Sequence, residues 1–120
     1  MKYERKIHEM KLSQVPFTQM ESGLKTIEVR LYDEKRQLLN LNDIIIFTNT
    51  NNSDQKIDIK IIGLCRFITF EDMFENINGV QMGWNVEDST EQKIKDMRKF
   101  YSEQEEKEYG VLCIYFKKNT

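Results

Sequence analysis

Apolar and polar residues alternate strictly through Ile27, Val29 and Leu31, set between Thr26, Glu28, Arg30 and Tyr32. Successive side chains of a strand point to opposite faces, so this segment predicts a strand with one apolar and one polar face. The same period returns at Ile57, Ile59 and Ile61 against Lys56, Asp58 and Lys60. "DIIIFTNT" (43–50) is a continuous apolar run, which suits a buried strand. "NNSD" (51–54) separates the two and is a strong turn signal, so they predict a hairpin. "KIHEMKL" (6–12) alternates imperfectly through Ile7, Met10 and Leu12 and reads as a first strand. "VLCIYF" (111–116) is apolar on both faces, which predicts a closing strand that is central or packed under a helix.

Between the strands the period changes. In "PFTQMESG" (16–23), Pro16 suits a first helical turn, Gly23 suits the C-terminal stop, and Phe17 and Met20 share a buried side. "TFEDMFEN" (69–76) predicts a short helix with Thr69 as N-cap and Asp72 three residues on. "STEQKIKDMRKFY" (89–101) predicts a longer amphipathic helix with Ile94, Met97 and Tyr101 on one side. Ser102 and Glu105 have capping-box spacing, and Gly110 ends that turn. "NGVQMG" (78–83) reads as a flexible loop. Strands at both ends and in the middle, joined by short helices, predict an α+β fold. The reading is one domain over residues 1–120: a closed or nearly closed β-barrel of mixed or antiparallel strands, decorated by short helices, with Ile27, Val29 and Leu31 in its main core.

Composition narrows the classes. Charged residues make up 32% of the 120, yet the net charge is only -2. That is not the overall basic signature of many nucleic-acid binders, so such binding needs a local patch. Lys2, Arg5 and Lys6 form one cluster; Lys25, Arg30, Lys35 and Arg36 form another around the opening motif. Cys65 and Cys113 lie in apolar runs without Cys-x-x-Cys spacing; the favoured reading is two buried thiols, with a disulfide left open. His8 is the only histidine, which argues against an ordinary zinc site, and no cofactor motif is present. The apolar run Ile44–Phe47 is too short to span a bilayer, and the charged N-terminus lacks a signal-peptide core. The expectation is a cytoplasmic protein with no membrane partner and no metal.

Gly23, Lys25, Glu28 and Arg30 form the pattern G-x-K-x-x-E-x-R after a short helix and at the start of a strand. On spacing alone, Glu28 and Arg30 read as an ion pair on a solvated strand face, worth under about 1 kcal/mol. The pattern and its context resemble the ASCH domain, a branch of the PUA-like superfamily. "LNLNDIIIF" stands where relatives read Gly-Asp before an apolar strand, with Asn42 in place of the Gly, and "YGVLCIYF" resembles their closing strand. The resemblance implies a PUA-like pseudobarrel with a cleft beside the motif, and RNA or a nucleoside or nucleotide as partner. In that cleft Lys25 and Arg30 would meet a phosphate or base carbonyl, and Glu28 an exocyclic amine. Tyr32 and Trp84 would offer stacking surfaces, with Gly23 and Thr26 beside them. Trp84 is also read as a core or lid residue.

One small bacterial relative is an amidohydrolase acting on N4-acetylcytidine. Its pattern has a Lys, a Thr three residues later and a distant Glu. Lys25 matches the Lys, Glu28 occupies the Thr position, Thr26 lies two residues early, and Glu87 best matches the Glu. The alternative reading is therefore a metal-independent amidohydrolase in which Lys25 polarises the amide and Glu28 or Glu87 activates water.

Overall fold

The computed structural model describes residues 4–119, so Lys2 of the N-terminal basic cluster lies outside the described residues. Five strands form one sheet: β1 (Ile7–Leu12), β2 (Ile27–Leu31), β3 (Ile44–Asn49), β4 (Asn52–Phe67) and β5 (Val111–Lys118). Their order is β1-β3-β4-β5-β2; β1 and β3 are parallel and the other neighbours antiparallel. Four helices accompany them: α1 (Gln14–Ser22), α2 (Phe70–Asn76), α3 (Thr90–Met97) and α4 (Glu103–Tyr109). The fold is α+β, as the pattern predicts.

The sheet curls into a half-barrel, and β1 and β2 are its two free edges. Side chains bridge the edge of β1. Arg30 Nη2 donates to the Lys11 carbonyl at 2.7 Å, and Lys35 Nζ donates to the Glu9 carbonyl at 2.8 Å. Edge carbonyls are ready templates for a foreign strand, and here two cations occupy them.

Two cores form on the two faces. The concave face encloses Met10, Phe17, Met20, Ile45, Phe47, Ile59, Leu112 and Ile114. The outer face of β2 and β5 packs Ile27, Val29, Leu31, Val111 and Cys113 under Phe70, Met73, Phe74, Met82 and Met97. Alternate residues of β5 therefore feed opposite cores, which is why that strand is apolar on both sides. Ile27, Val29 and Leu31 are buried as expected, but under the helices rather than in the barrel core.

That arrangement reverses the expected surroundings of the polar face of β2. Glu28 opposes Ile114 and Arg30 opposes Leu112 across the antiparallel ladder. Directly opposed residues point to the same face. Glu28 and Arg30 thus lie on the concave side, at the lip of the barrel core, with the Arg30 guanidinium 5.9 Å from the Phe47 ring centroid.

The local stops follow the chain chemistry. Gly23 caps α1 at φ +87°, a left-handed conformation that favours glycine. The Thr69 side chain accepts from the Asp72 N–H, and Ser102 with Glu105 forms a reciprocal capping box. Helix α3 stops at Met97, before Tyr101, and residues 79–82 wind into a 3-10 turn rather than an open loop.

Candidate functional site

A cleft of about 340 Å³ opens between the start of α1, the lip of β2, the 3-10 turn and the end of α3. Lys25, Glu28 and Arg30 line it, with Lys11, Ser13 and Gln19 on one side and Trp84, Asp96, Phe100 and Tyr101 on the other. Lys25 is carried into it by the turn after α1, whose Lys25 and Thr26 N–H groups donate to the carbonyls of Gln19 and Gln81. Strand alternation then puts Glu28 and Arg30 on the same side.

The three charged groups form a clamped triad. Lys25 Nζ lies 3.0 Å from Glu28 Oε1, and Arg30 Nε lies 2.8 Å from Glu28 Oε2. Lys25 Nζ also donates to the Met82 carbonyl at 2.8 Å. Lys25 and Glu28 are each only 5% exposed. These are not solvated strand residues: the solvated ion-pair reading fails on burial. Burial alone pushes the Glu28 carboxyl up, but the charges and hydrogen bonds of Lys25 and Arg30 outweigh it and hold it below the usual carboxylate range. Burial likewise opposes the Arg30 charge, and Glu28 restores it, raising its pKa.

Some donors of the triad remain for a ligand. Glu28 has both oxygens engaged. Lys25 keeps one ammonium N–H, and Arg30 keeps the outer edge of its guanidinium. The floor of the cleft is thus rich in donors and held in place by one internal carboxylate.

The opposite wall is aromatic. Trp84 Nε1 donates to Asp96 Oδ2 at 3.2 Å, and the indole meets Phe74 edge-on at 5.1 Å. The Trp84 hydrogen bond, followed by that of Gln92, lowers the Asp96 pKa against slight desolvation. Tyr101 stacks on Phe70 at 6.0 Å, and burial raises its phenol pKa. Phe100 is 71% exposed at the rim.

The structure brings Lys25, Glu28, Arg30 and Trp84 together in the cleft. Gly23, Thr26, Tyr32 and Glu87 do not line it. Gly23 is an exposed helix cap, Thr26 is exposed, and Glu87 is exposed in the loop before α3. The Tyr32 ring lies under the Arg66 guanidinium, 3.9 Å from its centroid. Sequence reading missed Gln19, Asp96, Phe100 and Tyr101. Tyr101 carried a signal, since an apolar helix position bearing a hydroxyl has a polar end to place. Asp96 carried none, because acids on exposed helix faces are common. Among the described residues, no three His, Cys, Asp or Glu side chains make a metal-holding group, and no helix is long and apolar enough to cross a membrane.

The fold is similar to that of known proteins. The hypothetical protein PH0355 superposes with a TM-score of 0.82 at 33% identity, covering 94% of this chain and 99% of that one. Protein PF0455 from Pyrococcus furiosus gives a TM-score of 0.74 at 29% identity, over 93% and 96%. A ZmASCH variant from Zymomonas mobilis shares the fold at 16% identity with a TM-score of 0.67, over 94% of this chain and 70% of its own. No curated protein matches. The ASCH domain model matches residues 10–120, and with that match, the PUA-like half-barrel and the relative at 33% identity, the chain belongs to the ASCH domain family.

Proposed function

We propose that the cleft binds RNA through one nucleotide unit, or a free nucleoside or nucleotide of the same chemistry. The observation that carries this reading is the buried Lys25–Glu28–Arg30 triad facing an aromatic wall in one cleft. The free edge of the Arg30 guanidinium and the remaining Lys25 N–H suit carbonyl or phosphate oxygens. The indole of Trp84 and the exposed ring of Phe100 offer flat surfaces on which a base stacks. Glu28 aligns both cations and offsets their mutual repulsion.

Binding is favoured over hydrolysis. A general base works best with a pKa near the operating pH. Glu28 is held below the ordinary carboxylate range, and both of its oxygens already accept from cations. Glu87 stands outside the cleft lining. The amidohydrolase reading therefore has Lys25 in the cleft but neither of its expected bases free to act there.

The test removes the triad without leaving an unpaired buried charge: Lys25→Met, Glu28→Gln and Arg30→Gln in one chain. Titration with a short single-stranded RNA and with cytidine should show affinity falling by roughly tenfold or more. The salt dependence of RNA binding should flatten, because two phosphate-facing cations are lost. A variant that melts cooperatively and binds both ligands like the wild type contradicts the proposal.

A further inference from the structure

Cys65 on β4 and Cys113 on β5 are direct cross-strand partners in an antiparallel ladder. The pairs Leu64 with Ile114 and Arg66 with Leu112 flank them in unbroken register, and the shift in that ladder lies further along, between Ile61 and Gly63. Opposed residues in such a ladder have Cα atoms about 4.5 or about 5.5 Å apart, depending on the hydrogen-bonding of the pair. Both separations fall within the range of about 4.4–6.8 Å that disulfides span. The two side chains share one face, against the core beneath α2 and α3. Both are free thiols.

The two differ in environment. Cys113 is fully buried, and its thiol is pushed up to about 12 by burial and, next, by the neighbouring Cys65. Cys65 is partly exposed. A small oxidant therefore meets Cys65 first, and Cys113 stands behind it as the second thiol.

The connection between them is what gives the pair a consequence. Segment 66–112 holds α2, the 3-10 turn, α3 and α4, and with them Met82, Trp84, Asp96, Phe100 and Tyr101 of the cleft wall. A bond between 65 and 113 would close that whole segment at its base. We propose that Cys65 and Cys113 form a reversible disulfide that locks the helical layer onto the sheet under peroxide-type oxidants. In the step, the Cys65 thiolate attacks one oxygen of hydrogen peroxide, and the O–O bond breaks to leave a sulfenic acid and hydroxide. The Cys113 sulfur then displaces the sulfenic oxygen and forms the S–S bond. The thiol protons end on the departing oxygens, so two thiols and one peroxide give one disulfide and two waters. A dithiol reverses it by exchange.

The experiment uses the full chain. It is exposed to hydrogen peroxide, unfolded in the presence of iodoacetamide and weighed intact without reductant. The expected product carries no alkyl groups and has lost two hydrogens, and peptide mapping joins Cys65 to Cys113. Dithiothreitol restores two alkylatable thiols. The oxidised protein should melt higher by on the order of 10 °C, since a long loop is closed in the unfolded state. Cys65→Ser and Cys113→Ser should each abolish that gain. Two alkylated thiols after oxidation, a sulfinic acid on Cys65 with Cys113 free, or a bond only between chains overturns the proposal. So does an internal disulfide that leaves the melting temperature unchanged or lowered.

Discussion

At the scale of single residues, Glu28 decides the character of the site. A carboxylate with both oxygens held by cations, at the lip of an apolar core, is stable only while both partners are present. Removing it leaves Lys25 and Arg30 as uncompensated, largely buried charges. Glu28→Ala should therefore destabilise the fold by about 3 kcal/mol in denaturant unfolding at neutral pH. The pH dependence follows from the direction of its shift. The folded-state pKa is depressed, so between it and the ordinary value the unfolded state binds the extra proton, and stability rises with pH. The Glu28 contribution is complete above the ordinary carboxylate range, about 4.3, and is lost as pH falls through the lower folded value. The stability gap between wild type and Glu28→Gln should accordingly shrink in acid; a gap that is constant or widens as pH falls would contradict the triad. Sequence carried the three residues and their spacing but not their burial. The alternation at 26–32 says only that Glu28 and Arg30 share a face. It does not say that the other face is covered by helices from segment 66–112, which is what turns the polar face inward to the barrel lip.

At the scale of elements, local chemistry was readable wherever it acts within a few residues. The alternating isoleucines of β4, the Thr69 cap and the Ser102–Glu105 box all stand where their patterns put them, whereas the turn expected over 51–54 closes on Thr50 and Asn51, and Asn52–Asp54 already belong to β4. Elements that depend on distant contacts were not readable. Helix α3 ends at Met97 because residues 98–100 turn to bring Tyr101 back onto Phe70. The 79–83 segment looks like a loop in sequence, yet it is anchored from across the chain. The Gln19 amide donates to the Gly83 carbonyl at 3.0 Å, and Lys25 to that of Met82. Gly83 sits at φ +106°, and an added Cβ would meet Gln19 Oε1 at 2.4 Å and Gln19 Cδ at 3.1 Å. Gly83→Ala should therefore cost about 1–2 kcal/mol in strain and shift Trp84 on the cleft wall. Measured by thermal unfolding and by ligand titration, it should lower both stability and affinity. Equal affinity in a destabilised variant would separate the turn from the site.

At the scale of the whole molecule, the sheet stops short of backbone closure, and its seam is where the cleft lies. β2 presents the triad, β1 presents the Lys11 carbonyl that Arg30 holds, and segment 66–112 supplies the opposite wall. A curled sheet of mixed strands was legible from the strand pattern; its two edges, β1 and β2, are joined by side chains instead of a ladder. One group, Arg30, thus joins the two edges of the fold, neutralises Glu28 and faces the cleft. The central claim is that ligand enters at this seam. Its most direct test is a chemical-shift titration of the 15N-labelled chain with a short single-stranded RNA. The account predicts that the Arg30 Nε–H, the Trp84 indole N–H and the backbone amides at 82–84 and 100–101 shift together along one binding isotherm. Saturable shifts confined to the N-terminal basic segment or the outer face of β4, with those signals unmoved, would contradict it.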